Sequence, residues 1–119
     1  MSKGTSLLRF VEELLGRFER VAWYLKGVDK KSFMGNSMLQ DAVIHNIAIA
    51  GEICNNIDKH HEEFAKHAAD ANLLGLIATR NVLIHRYHAV DLDMIWTAAF
   101  EEFPKLRDDL KKAIDNYKP

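Results

Sequence analysis

The sequence predicts an all-α protein, an antiparallel bundle of four to five helices built as a single domain over residues 1–119. Three observations favour this class. Apolar residues recur at spacings of three and four along most of the chain, and no segment shows the alternation of a strand. The third is composition, because 119 residues with 48% hydrophobic and 28% charged side chains suit one globular domain with a sizeable core.

The first half of the chain contains two helical patterns separated by a loop. An apolar stripe predicts the first helix from about Thr5 to Lys26. Residues 27–37 collect two glycines and several capping residues and predict a loop, so the next helix should begin at Asn36 or Ser37. That helix is filled with apolar residues over positions 38–57, and we expect most of it to be buried.

The second half is less regular. Residues 60–70 are polar, and their periodicity does not decide between a helix end, a loop and a short helix. A third helix is predicted over Leu73–Tyr87, and Asp91 is the next recognisable N-cap. Pro104 either kinks the helix that follows or opens a last one at its first position.

Charge, cysteine usage and hydropathy exclude several classes of protein. Sixteen basic and seventeen acidic residues give a formal charge of −1, so any nucleic acid must be bound locally rather than by an overall basic field. The single cysteine, Cys54, cannot form an internal disulfide and is interpreted as a small buried hydrophobe. Arg9 interrupts the apolar run that a signal peptide needs, and no stretch is long enough to span a membrane. We therefore expect a cytoplasmic protein without membrane contact.

A cluster of polar residues stands out in the otherwise apolar third helix: Arg80, Asn81, His85 and Tyr87. Arg80 and Tyr87 share one helical stripe, whereas His85 lies about 140° around the helix from Arg80. The two side chains converge only if the helix ends near His85 or if a second copy completes the site. The alternative is a helix end with a basic last turn, in which His85 and Arg86 lie near the negative end of the dipole.

Two further sets of residues have alternative interpretations. Glu52 either lines a cleft opposite Arg80 and pairs with it, or is exposed at a helix exit or to a partner. Trp23 and Trp96 are predicted to be core residues rather than platforms for stacked bases.

A metal face is conceivable at His60, Glu63 and His67. Position 65 is Ala, where a zinc-protease motif would require its second histidine. We expect no metal site.

The ordered set of motifs resembles the HEPN superfamily and specifically its HepT-like toxins. The similarity spans residues 7 to 110. Its elements are Arg-Asn-x-x-x-His-x-Tyr at 80–87, Val90-Asp91, Ile95-Trp96, Phe33, Gln40–Val43, Gly51-Glu52 and Phe103–Leu106.

The resemblance implies a metal-independent endoribonuclease that acts as a homodimer on RNA and needs no cofactor. It also implies a nucleotidyltransferase-like antitoxin that attaches AMP to the motif tyrosine, Tyr87. In this interpretation His85 carries protons near neutral pH, and Arg80 stabilises phosphoryl charge. Asn81 holds the scissile nucleotide or the arginine, and Glu52 supports the site.

Two other functions remain open at this point. One is a non-catalytic HEPN-type binding module that partners a nucleotidyltransferase, and the other is a purely structural helical dimer. A dimer is expected in any case, because the helix over 38–57 is apolar around too much of its circumference for a small monomer to cover easily.

Overall fold

The computed structural model describes residues 3–86 and 89–118, with residues 3–6 described by their backbone alone, and every regular element within these ranges is helical. In chain order the elements are α1 (Lys3–Leu25), α2 (Lys30–Met34), α3 (Ser37–His60), α4 (Glu62–His67), a 3₁₀ turn (Ala69–Ala71), α5 (Leu73–His85), α6 (Leu92–Trp96), a π-helical segment (Thr97–Glu102) and α7 (Phe103–Asn116). The four longer helices, α1, α3, α5 and α7, form the body of the bundle. The predicted all-α class is confirmed.

Local side-chain caps set several helix starts. The Asn36 side chain accepts a hydrogen bond from the backbone N–H of Leu39 at 3.0 Å, and Asp91 accepts one from Asp93 at 2.9 Å. Both capping predictions are confirmed. The predicted loop over residues 27–37 contains the short helix α2, which Asp29 caps by accepting from the Ser32 N–H at 2.8 Å. This hydrogen bond lowers the pKa of the Asp29 carboxyl.

The polar region that periodicity left undecided folds into α4 and the 3₁₀ turn. Phe64 on α4 is fully buried, and the Tyr117 ring packs edge-on against it at 5.1 Å between centroids. His67 Nε2 lies 2.9 Å from the carbonyl oxygen of Ala113 on α7. One buried ring and one hydrogen bond therefore join this segment to the last helix.

The core is continuous between the helices. Its largest fully buried side chains are aromatic and aliphatic: Phe33, Phe64, Phe103, Leu14, Ile47, Ile57, Ile95 and Leu110. Trp96 belongs to this core, packed against Phe33 at 5.3 Å, as predicted. The prediction for Trp23 is wrong, because its side chain is 74% exposed. Trp23 lies two residues beyond the buried Val21, about 200° around α1, and so points away from the core.

One buried polar residue links α1 to α3. Asn46 is 2% exposed, and its side-chain oxygen accepts a hydrogen bond from Arg17 Nη1 at 3.1 Å. Its amide nitrogen donates to the carbonyl of Ala42 at 2.8 Å. Both ends of the amide are therefore satisfied, as burial of a polar group requires.

Pro104 lies in the first turn of α7, directly after the π-helical segment. Proline has no N–H to donate, and its ring clashes with the carbonyl four residues earlier in a regular α-helix. The wider π turns before it accommodate both effects. Pro104 is thus the second residue of α7 and not its first, and the backbone at Glu102 and Phe103 before it is already helical.

No helix within the described residues is both long enough and apolar enough to cross a membrane.

Cys54 supplies a test of this packing. Its side chain is buried, as predicted, and burial raises the pKa of the thiol from an ordinary 9.0 to about 12. A thiol reagent at about pH 8 should therefore label unfolded protein quickly and folded protein slowly. Between pH 9.0 and about 12 the unfolded thiol ionises while the folded one stays neutral, so this residue's contribution to stability falls as pH rises.

Comparison of unfolding curves for wild type and Cys54→Ala across that pH range isolates the contribution of Cys54 to the free energy of unfolding. Stoichiometric labelling of the folded protein within seconds would contradict the buried position.

Candidate active site

The polar cluster lies on α5, and α5 ends at His85. Asn72 precedes the helix in the left-handed conformation, with φ 47°, and its side chain accepts a hydrogen bond from the Gly75 N–H at 3.2 Å. At the other end, the Arg86 N–H donates to the carbonyl of Val82 at 2.9 Å, and the helical backbone stops. The helix therefore ends directly after His85, which is its last residue.

Arg80 is held between two polar side chains. Its Nη2 lies 2.7 Å from Oε2 of Glu52 on α3, and its Nη1 donates to Oδ1 of Asn81 at 3.4 Å. The Arg80 side chain is 27% exposed and that of Glu52 is 47% exposed. Of the two positions predicted for Glu52, the structure has the one opposite Arg80.

The geometry of this pair leaves Arg80 with unused donors. Glu52 Oε2 is buried and accepts no hydrogen bond of ordinary direction, so the contact with Arg80 is an ion pair. A guanidinium carries five N–H donors in a planar fork. Only Glu52 and Asn81 engage it among the described residues, and the part of the fork exposed to solvent can receive an anion such as a phosphate.

His85 is exposed at the last position of α5 and makes no hydrogen bond or ion pair to another side chain in residues 3–86 or 89–118. It still has helical geometry, so it lies on a different side of α5 from Arg80. The structure therefore brings Glu52, Arg80 and Asn81 together but leaves His85 apart within one chain. Tyr87 lies outside the described residues.

The exposed side of α5 carries apolar residues beside the polar Asn81 and His85. Leu74, Val82 and Ile84 are 66%, 41% and 52% exposed. The apolar positions of α3 on which the dimer expectation rested are mostly covered by the core, apart from Met38. Part of the uncovered apolar surface, which also includes Trp23, Met38 and Phe100, therefore lies on the helix that carries Arg80 and His85.

The residues of the conceivable metal face serve other contacts or face solvent. His67 lies against the carbonyl of Ala113, and His60 and Glu63 are exposed. Within the described part of the chain, no group of three or more histidine, cysteine or acidic side chains could hold a metal ion.

Gly51 belongs to the Gly51-Glu52 motif, but the sequence indicated no role for it in the site. It is buried in α3 immediately before Glu52 and faces Arg80. Glycine inside a helix lowers the stability of that helix. Its presence in the middle of an apolar helix was therefore the sequence signal for a close approach of two backbones.

A family model described as ribonuclease HepT-like matches residues 14–113 of the chain. "Putative RNase MJ1380" of Methanocaldococcus jannaschii is 28% identical over 102 residues, which cover 86% of this chain and 91% of that protein. "Probable ribonuclease HepT" of Thermococcus cleftensis is 24% identical over 103 residues, which cover 87% of this chain and 91% of that protein.

One relative is much longer than this chain. "Gamma-glutamylcyclotransferase and putative RNase MJ0434" of Methanocaldococcus jannaschii is 28% identical over 106 residues, 89% of this chain. The chain spans about half of that relative, 46% of its length. No solved structure gives a significant match.

Proposed function

The chain belongs to the ribonuclease HepT-like family, and from this premise we propose that it is a metal-independent endoribonuclease with Arg80 and His85 as its catalytic residues. The observation that carries the proposal is the Arg80 guanidinium, fixed by Glu52 and Asn81 but still partly open to solvent. A permanently charged, pre-positioned donor is what phosphoryl transfer needs when no metal is present.

Arg80 acts on the phosphate. Cleavage by the neighbouring 2′-hydroxyl develops negative charge on the non-bridging oxygens, and a guanidinium can meet that charge with two parallel N–H donors. Glu52 limits the rotation of the Arg80 side chain before RNA arrives. Asn81, exposed beside Arg80, would hold either the arginine or the scissile nucleotide.

His85 moves the protons. Its imidazole can accept the proton of the 2′-hydroxyl and return one to the departing 5′-oxygen. No metal-bound hydroxide is required, because the nucleophile belongs to the RNA itself.

We propose that a second copy of the chain completes the site. Arg80 and His85 face different sides of α5 in one protomer, and the apolar residues Leu74, Val82 and Ile84 lie exposed on the same helix. Pairing of two chains through α5 would cover this surface and bring two sets of motif residues to one cleft. The RNA would lie in that cleft.

The same family membership supports a toxin whose partner is a nucleotidyltransferase-like antitoxin, with both proteins in the cytoplasm. The target would be Tyr87, two residues after His85. The phenol oxygen would displace pyrophosphate from ATP and retain AMP. The added phosphate and base would occupy the RNA path and pair with Arg80 or Arg86.

The catalytic assignment predicts that Arg80→Ala and His85→Ala each lower cleavage of an RNA oligonucleotide by roughly 10²-fold or more, with a chelator present throughout. Arg20→Ala and His60→Ala are matched controls, because both residues are exposed on other helices and should leave the rate unchanged. Initial rates on a fluorescent oligonucleotide measure the effect.

Full activity in both site variants would refute the enzyme assignment. RNA binding without cleavage by wild type would favour the binding-module function instead.

The dimer predicts that Val82→Asp, which places a charge among the exposed apolar residues of α5, produces a monomer with little RNase activity. Trp23→Asp is the control, since Trp23 is 74% exposed on α1 and should tolerate the charge without dissociation. Multi-angle light scattering at micromolar concentration reports the mass. A monomeric and fully active wild type would rule out the shared cleft.

If attachment of AMP to Tyr87 inhibits the enzyme, wild type co-expressed with the transferase should gain the mass of one or more AMP groups and lose RNase activity. Tyr87→Phe should stay unlabelled and active beside the same partner, whereas Tyr24→Phe, altered on α1, should still be labelled. Intact-protein mass spectrometry followed by peptide mapping locates the group. Labelling at Tyr24 or Tyr117 in place of Tyr87 would overturn the assignment.

A further inference from the structure

The backbone of α3 approaches α5 unusually closely at Gly51. A Cβ atom added to Gly51 would lie 2.3 Å from Arg80 Cβ, 2.8 Å from the Leu76 carbonyl oxygen and 3.1 Å from Arg80 Cγ. Leu76 and Arg80 are four residues apart and so occupy successive turns on one face of α5. Gly51 is therefore the point at which α3 packs between two turns of the helix that bears the proposed catalytic arginine.

Rotation of a flexible side chain cannot relieve this contact. Arg80 Cβ and the Leu76 oxygen are fixed by the backbone of α5, so a larger residue at position 51 must displace the helix itself. The distance between the two Cβ atoms would have to grow from 2.3 Å to the 3.4 Å or more of ordinary contact. The two helices would therefore have to separate by about 1 Å. Packed protein interiors have too little free volume to absorb the added methyl group without such a movement.

The same contact determines where the guanidinium lies. Arg80 leaves α5 directly against Gly51, and its Nη2 reaches the carboxylate of the very next residue, Glu52. Glycine at 51 supplies the space, and the acidic residue at 52 supplies the charge that holds the other end of the side chain. We propose that Gly51 is a positioning residue for Arg80, an inference that rests on the proposed function of Arg80.

A displacement of this size matters because Arg80 is assigned to stabilise charge that develops in the transition state. A misplacement of about 1 Å at such a group can cost about 10²-fold in rate. RNA affinity, by contrast, depends on contacts with several phosphates. Gly51→Ala should therefore lower kcat by about 10²-fold and change KM little.

Two controls separate positioning from general loss of packing. Gly16→Ala makes the same substitution in α1, where an added Cβ meets nothing within 4 Å, and should leave cleavage unchanged. Leu73→Ala removes a buried side chain at the other end of α5 and should lower the unfolding temperature with little change in kcat. A kcat for Gly51→Ala equal to that of the Leu73→Ala variant, at similar stability, would overturn the proposal.

A thermodynamic cycle tests the contact without reference to RNA, even if Gly51→Ala alone folds poorly. Arg80→Gly removes the Cβ that the new methyl group would strike. The double variant Gly51→Ala with Arg80→Gly should therefore unfold at a higher temperature than the sum of the two single effects predicts. If the changes in unfolding temperature are additive, residue 51 does not press against residue 80, and the inference is refuted.

A crystal structure of Gly51→Ala, or of the most stable folded variant that carries it and keeps Arg80, gives the direct geometric readout. The Arg80–Glu52 separation should exceed the 2.7 Å of wild type, and an unchanged separation would refute positioning. If wild type cleaves no RNA, the proposed function is refuted. The thermodynamic cycle and the Arg80–Glu52 separation still test whether Gly51 positions Arg80.

Discussion

The close packing of α3 against α5 at Gly51 is the contact on which the candidate site depends. The absence of a side chain there lets the α5 backbone approach, and the next residue of α3, Glu52, meets Arg80 at 2.7 Å. An ion pair at this partly exposed position contributes little to stability, on the order of 1 kcal/mol or less. Its effect is to restrict the guanidinium to one place, which is the property that a phosphate-stabilising group requires.

The remainder of the fold holds these two helices in register. Asn46 ties α3 to α1 through Arg17, and His67 joins the segment before α5 to the last helix. The Asn72 side chain caps the start of α5. The Asn46 contact fixes a face of α3 and the Asn72 contact fixes the start of α5, so Arg80 lies on a packed scaffold although it is near the surface.

Much of this architecture could be predicted from the sequence because its signals are local. Caps such as Asn36 and Asp91 act within one turn, and an apolar periodicity reveals which face of a helix is buried. Contacts between helices that are distant in sequence were harder to predict. The sequence allowed two positions for Glu52 and could not reveal that Gly51 touches Arg80, because both depend on how two helices dock. Trp23 was placed in the core on hydrophobicity alone, although its angular position on α1 points it outward.

In the proposed mechanism, an arginine held by Glu52 and a histidine cleave RNA through the RNA's own 2′-hydroxyl. Identification of the ends produced tests it most directly, with an oligonucleotide of known sequence incubated in chelator with protein expressed without any transferase. Mass spectrometry should find a 2′,3′-cyclic phosphate, or the phosphate formed by its hydrolysis, on one fragment and a 5′-hydroxyl on the other. A 3′-hydroxyl with a 5′-phosphate, or cleavage only after Mg²⁺ is added, would contradict the account.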